Sequence, residues 1–139
     1  MNLLARVAAA QSTIDRFLFT PFEWGKADCA HLVGHLLIEL GLDDPNAKAR
    51  NYSTELGARR AMRHLGYADM TDAIDALGFE RIPPAAALPG DIVGYPGGED
   101  GKEWTALGVA LGQDRILGFA NGRGEWGPVS VCTVAWRVA

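Results

Sequence analysis

The sequence changes its hydrophobic period once, at Pro83-Pro84, and that change limits the chain to helices first and strands after. Before it, Leu4, Val7, Ala8, Ile14, Phe17 and Leu18 recur at helical spacing until Pro21 stops the segment. Asp28 then precedes an apolar run from Cys29 to Leu40, and Gly41 stands where a helix would end. Apolar residues cover most of that run's circumference, which predicts a central, buried helix. Residues 43–52 read as a loop. Thr54 caps a further helix through Leu65, and Asp69 or Thr71 opens a short one that stops at Gly78. After the prolines, Asp91–Tyr95, Trp104–Leu111, Arg115–Ala120 and Val129–Val138 read as four strands. The turns between them are Gly112-Gln113-Asp114 and Asn121-Gly122-Arg123-Gly124. Short connections between strands make the sheet antiparallel and the fold class α+β, with N-terminal helices packed on a C-terminal sheet.

The 139 residues suit one domain, here read as 1–139, with enough surface to bury for a core of its own. A net charge of −4 argues against a nucleic-acid partner. The opening Met1-Asn2-Leu3-Leu4-Ala5-Arg6 is amphipathic and short, so neither a signal peptide nor a membrane span is expected. Cys29 and Cys132 make no disulfide framework, and a cytosolic site of synthesis is the default. No cofactor is implied. The histidines and cysteines lack zinc spacing, so no metal site is expected. The acidic group Glu99, Asp100 and Glu103 reads as a solvated loop. Arg59, Arg60 and Arg63 read as a solvated helix face.

The sharpest local feature is Phe22-Glu23-Trp24-Gly25-Lys26-Ala27-Asp28-Cys29. It sets a cysteine in the first turn of the buried helix. The positive helix end favours a thiolate, and free amides there stabilise an oxyanion. The competing reading is a structural cysteine, since cysteine is among the residues most often buried. Trp24 and Trp104 flank the elements that would face each other across a cleft, and are either groove walls or core, as are Trp126 and Trp136.

The segment Phe22-x-Trp24-Gly25-x-x-Asp28-Cys29, followed by an apolar helix, resembles the nucleophile segment of the NlpC-type peptidoglycan peptidases, which are papain-like cysteine hydrolases. Pro89-Gly90-Asp91-Ile92-Val93 is similar to their Pro-Gly-Asp-Leu-Val strand. Leu107-Gly108-Val109-Ala110-Leu111-Gly112 is similar to their His-Val-Gly-Ile-Tyr-Leu-Gly strand. A set of phage and prophage proteins encoded among tail genes is closer still. It shares Trp24 to Cys29, Gly90 to Val93, Leu107 to Val109 and a closing Ala135-Trp136-Arg137.

The resemblance implies a papain-like fold with Cys29 as the nucleophile and Trp24, Asp28 and Trp104 around it. It also implies a histidine at the position of Ala106 and a polar orienting residue near Gly118 or Phe119, and neither stands there. By helical geometry His31 points about 200° from Cys29 and His35 about 240°. His64 lies on another helix. The expectation is therefore a papain-like module without its dyad, serving in a phage tail or tail-like particle or in the host cytoplasm. Its partners would be neighbouring tail proteins or cell-wall peptidoglycan. The alternatives are an active cysteine hydrolase with another base, and an unrelated α+β protein with Cys29 in its core.

Overall fold

The computed structural model describes residues 1–97 and 104–139. The acidic group at 99–103 lies outside them. Four helices come first: α1 (Leu3–Phe17), α2 (Cys29–Glu39), α3 (Glu55–His64) and α4 (Met70–Asp75). Six strands follow: β1 (Glu80–Ile82), β2 (Ile92–Gly97), β3 (Trp104–Gly112), β4 (Arg115–Ala120), β5 (Arg123–Pro128) and β6 (Val134–Arg137). They form one antiparallel sheet in the order β1-β6-β2-β3-β4-β5.

The expected helices are present, each opened by a side-chain cap. Asn2, Asp28, Thr54 and Asp69 accept amide hydrogens that a first turn cannot use internally. Helix α2 is the central one. Leu32, Val33, Leu36 and Leu37 are at most 1% exposed and pack on Ile92, Leu107, Val109, Leu117 and Trp136. The other face of the sheet gathers Val93, Ala110, Ile116 and Ala135 with Tyr95 and Cys132. Residues 107–110 are buried without a break because both faces of β3 are covered.

Three strand expectations change. β1 stands before Pro83-Pro84, where no strand is expected, and pairs with β6. Arg123–Pro128 is a strand, although the expected turn extends to Gly124 and no strand is expected there; Asn121 and Gly122, with φ of 55° and 77°, form a two-residue hairpin that aligns it on β4. The closing strand starts at Val134, because Val129–Val131 is a single 3-10 turn after Pro128.

The start of β2 is pinned by Asp91, which has no exposed surface. Its Oδ1 accepts from the Arg6 guanidinium at 2.9 Å and the Val138 amide at 3.0 Å. Its Oδ2 accepts from the Leu88 amide and Arg137 Nε, each at 2.8 Å. One carboxylate thus ties α1, the entry to β2 and the end of β6. A buried carboxylate is tolerated only with this degree of pairing.

Candidate active-site cleft

Strands β3 and β4 pair from Val109 and Leu117 toward their hairpin, and no pairing is recorded between Trp104–Gly108 and Gly118–Ala120. The N-terminus of α2 sits at this opening. The freed edge of β3 finds other partners: the Thr105 amide donates to Asp69 Oδ1 at 3.1 Å, and the Leu107 amide faces the Cys29 sulfur.

Asp28 fixes the approach to that sulfur. Its Oδ1 accepts from the His31 amide at 2.9 Å and His31 Nδ1 at 2.7 Å. Its Oδ2 accepts from the Gly25 amide at 2.9 Å and the Tyr52 hydroxyl at 2.5 Å. Burial alone would raise the Asp28 pKa, but the hydrogen bonds from His31, Tyr52 and the two amides outweigh it and hold the carboxyl below its ordinary value. His31 is raised in turn, chiefly by its hydrogen bond to Asp28. Gly25 has φ +83°, and a Cβ there would lie 1.9 Å from the Tyr52 carbonyl oxygen, so only glycine lets the two segments meet.

Cys29 itself is a free thiol, as is Cys132. Burial is the largest influence on it and pushes the thiol up to about 11, with the Asp28 charge adding to the rise. The Leu107 amide and the helix's own first amides, at Cys29 and Ala30, oppose this and lose. The helix end therefore does not produce a thiolate here, contrary to what its dipole alone suggests.

No imidazole corrects this. His31 Nδ1 is engaged by Asp28, and Ser12 Oγ lies 3.1 Å from His35 Nε2, with Glu39 at 3.8 Å. His64 Nε2 lies 3.4 Å from the Arg50 guanidinium. Among the described residues no side chain hydrogen-bonds the Cys29 sulfur. The amide that meets the sulfur belongs to the peptide joining Ala106, where the expectation sets the histidine, to Leu107. Ala106 is the cross-strand partner of Tyr95. At Gly118 an added Cβ would meet the Tyr95 hydroxyl at 2.2 Å, so the Tyr95 ring fills the place where an orienting polar side chain was sought.

Cys29, Asp28, Trp24 and Trp104 all line one cleft of about 570 Å³, whose far wall is apolar, with Val33, Met62, Met70 and Ile74. The structure thus brings the four sequence-selected residues together. Trp104 lies under the Arg59 guanidinium, 4.4 Å from the ring centroid, so Arg59 packs on this tryptophan rather than standing free on a solvated face. Trp136 is fully buried core, and Trp126 is exposed at 44%. Tyr52 and Tyr95 were not anticipated. The signal for Tyr52 was indirect: a glycine beside Trp24 marks a close approach without naming the approaching segment. Among the described residues no three histidine, cysteine or acidic side chains converge as a metal-ligand set. Among the described residues no helix is long and apolar enough to cross a membrane.

The family described as a domain of unknown function, DUF6950, matches residues 4–138. The chain belongs to the DUF6950 family. Among solved structures it is similar to the NlpC/p60 domain of the peptidoglycan hydrolase SagA, with a TM-score of 0.56 and 17% identity over 99% of this chain and 100% of that one. At that identity the likeness concerns the fold, which is papain-like. No curated protein matches.

Proposed function

We propose that this DUF6950 chain is a binding module on a papain-like scaffold rather than a working peptidase. Its cleft would hold a neighbouring tail protein, or cell-wall peptide, in a phage tail or tail-like particle. The observation that carries this reading is that each histidine is engaged elsewhere, which leaves the Cys29 sulfur without a base, while burial raises its pKa further. Nucleophilic catalysis by cysteine needs a thiolate or a base within hydrogen-bond reach, and a histidine base contributes about 10²–10⁴-fold. The cleft keeps the attributes of a binding site: an apolar wall, two tryptophans and a few convergent polar groups. The assignment to a tail rests on the resemblance of Trp24–Cys29, Gly90–Val93 and Ala135–Arg137 to tail-gene proteins.

The second reading, a cysteine hydrolase of peptidoglycan, is favoured by the SagA likeness and by the placing of Cys29 at a helix N-terminus beside β3. One experiment separates the two. The purified chain and its Cys29→Ala variant are incubated with cell walls, and both released fragments and wall-bound protein are measured. The binding reading predicts no fragments from either chain and equal retention of both. Fragments released by the unmodified chain alone would overturn it.

A further inference from the structure

A second cavity, of about 420 Å³, has His31 in its wall. The ring is tied through one nitrogen. Its Nδ1 donates to Asp28 Oδ1 at 2.7 Å, and Asp28 is 2% exposed. Asp28 is no part of the cavity wall, so the opposite ring edge, with Nε2, is the one that meets the cavity. Nε2 has no protein partner among the described residues, and the side chain is 32% exposed. Asp28, by its hydrogen bond and its charge, and Asp44, by its charge, make this ring more basic than an ordinary histidine, against the cost of burial. Lys26 and Arg50 line the same cavity, where Glu23 is the one acidic residue. Lys26 and Glu23 stand 3.7 Å apart, both mostly exposed, so their attraction is small. Arg50 has no carboxylate partner among the described residues; its guanidinium lies 3.4 Å from His64 Nε2. The amides of residues 50–53, which also wall the cavity, meet no acceptor among the described residues. Donors and cations therefore outnumber acceptors around this space.

We propose that this cavity is an anion site, in which His31 Nε2, Arg50 and Lys26 hold a carboxylate or phosphate group of a ligand. Asp28 is a positioning residue: it fixes the ring through Nδ1 and leaves Nε2 to the ligand. An imidazolium held in this way donates a charge-assisted hydrogen bond, which is shorter and stronger than a neutral one. Arg50 offers a planar fork that two oxygens of one anion can meet together. The site does not depend on the reading of the Cys29 cleft, since neither the thiol nor the apolar wall takes part in it.

The test uses the full chain at a fixed pH below 6.5, the ordinary histidine value, and follows the His31 imidazole and the amides of residues 50–53 by nuclear magnetic resonance. Inorganic phosphate or acetate is titrated in at constant ionic strength, balanced with sodium chloride. An anion site predicts shifts of these signals that saturate. Arg50→Gln should raise the half-saturating concentration about tenfold, the factor set by one charge-assisted hydrogen bond, and Lys26→Gln should move it the same way. Saturation at lower phosphate than acetate assigns the site to phosphoryl ligands, and the reverse order assigns it to carboxylates. Both substitutions fall on exposed side chains, and unchanged amide signals elsewhere show that each variant is folded. Shifts that grow linearly with both anions would overturn the site, as would a folded Arg50→Gln chain with the wild-type midpoint. No cell wall enters the assay and Cys29 is not read, so failure of the binding reading above would leave this result standing.

Discussion

Asp28 shows how much one residue does here. It caps α2, orients His31, and receives Gly25 and Tyr52, with only 2% of its surface exposed. Replacing it with Asn keeps a cap but turns an amide N–H₂ toward donors, leaving at least one buried donor unpaired. We expect Asp28→Asn to cost about 1–3 kcal/mol, read as a lower urea midpoint. The pH dependence follows from the direction of each shift. The Asp28 pKa is held below its ordinary 3.8, so its contribution is present above that value and is lost as pH falls through the folded pKa. The His31 pKa is held above its ordinary 6.5, so its contribution is present below 6.5 and is lost as pH rises through the folded pKa. Wild-type stability should therefore decline at both ends, and Asp28→Asn should flatten both declines. Equal pH profiles for the two chains would contradict the network. Asp28 as a cap was readable from its place before an apolar run. Its bonds to Tyr52 were not, because nothing local in 43–52 says where that loop returns.

At the scale of elements, α1, β2 and β6 are held in register by the Asp91 carboxylate. Asp91→Ala would leave the Arg6 guanidinium, 5% exposed, without its ion-pair partner. That change should cost about 3–5 kcal/mol in urea unfolding, the range for breaking a buried pair by removing one member. A loss below about 1 kcal/mol, typical of a surface pair, would contradict the account. Pro89-Gly90-Asp91 was legible as the opening of a strand, whereas the role of Arg6 was hidden by an 85-residue separation. Helix α2 was readable because its apolar residues are contiguous, although Ile38, read as part of that face, is 53% exposed. β5 was missed because Arg-Gly-Glu-Trp-Gly-Pro has weak strand propensity and pairs only as the return arm of a hairpin. Conversely, Val129–Val138 alternates well enough to look like one strand, yet Val129–Val131 turns before β6 begins.

Over the whole molecule, the papain-like arrangement depends on α2 resting on the sheet with Trp136 between helices and strands. Trp136 is fully buried, and its indole N–H donates to Asp75 at 2.8 Å. Trp136→Ala should destabilise by about 3–5 kcal/mol, with the loss seen in thermal unfolding. The order of motifs made the fold legible, since each short resemblance falls on the element it should. The condition of the site was less legible, for the rise of the sulfur's pKa comes from desolvation at the α2–β3 junction, which no spacing in sequence encodes. That rise is open to direct measurement through the alkylation rate of Cys29 against pH, in a chain carrying Cys132→Ser. With the thiol near 11, the rate should rise about tenfold per pH unit from 7 to 10 without levelling. A plateau reached below pH 7 would reveal a preformed thiolate and contradict the account of an unarmed papain-like scaffold.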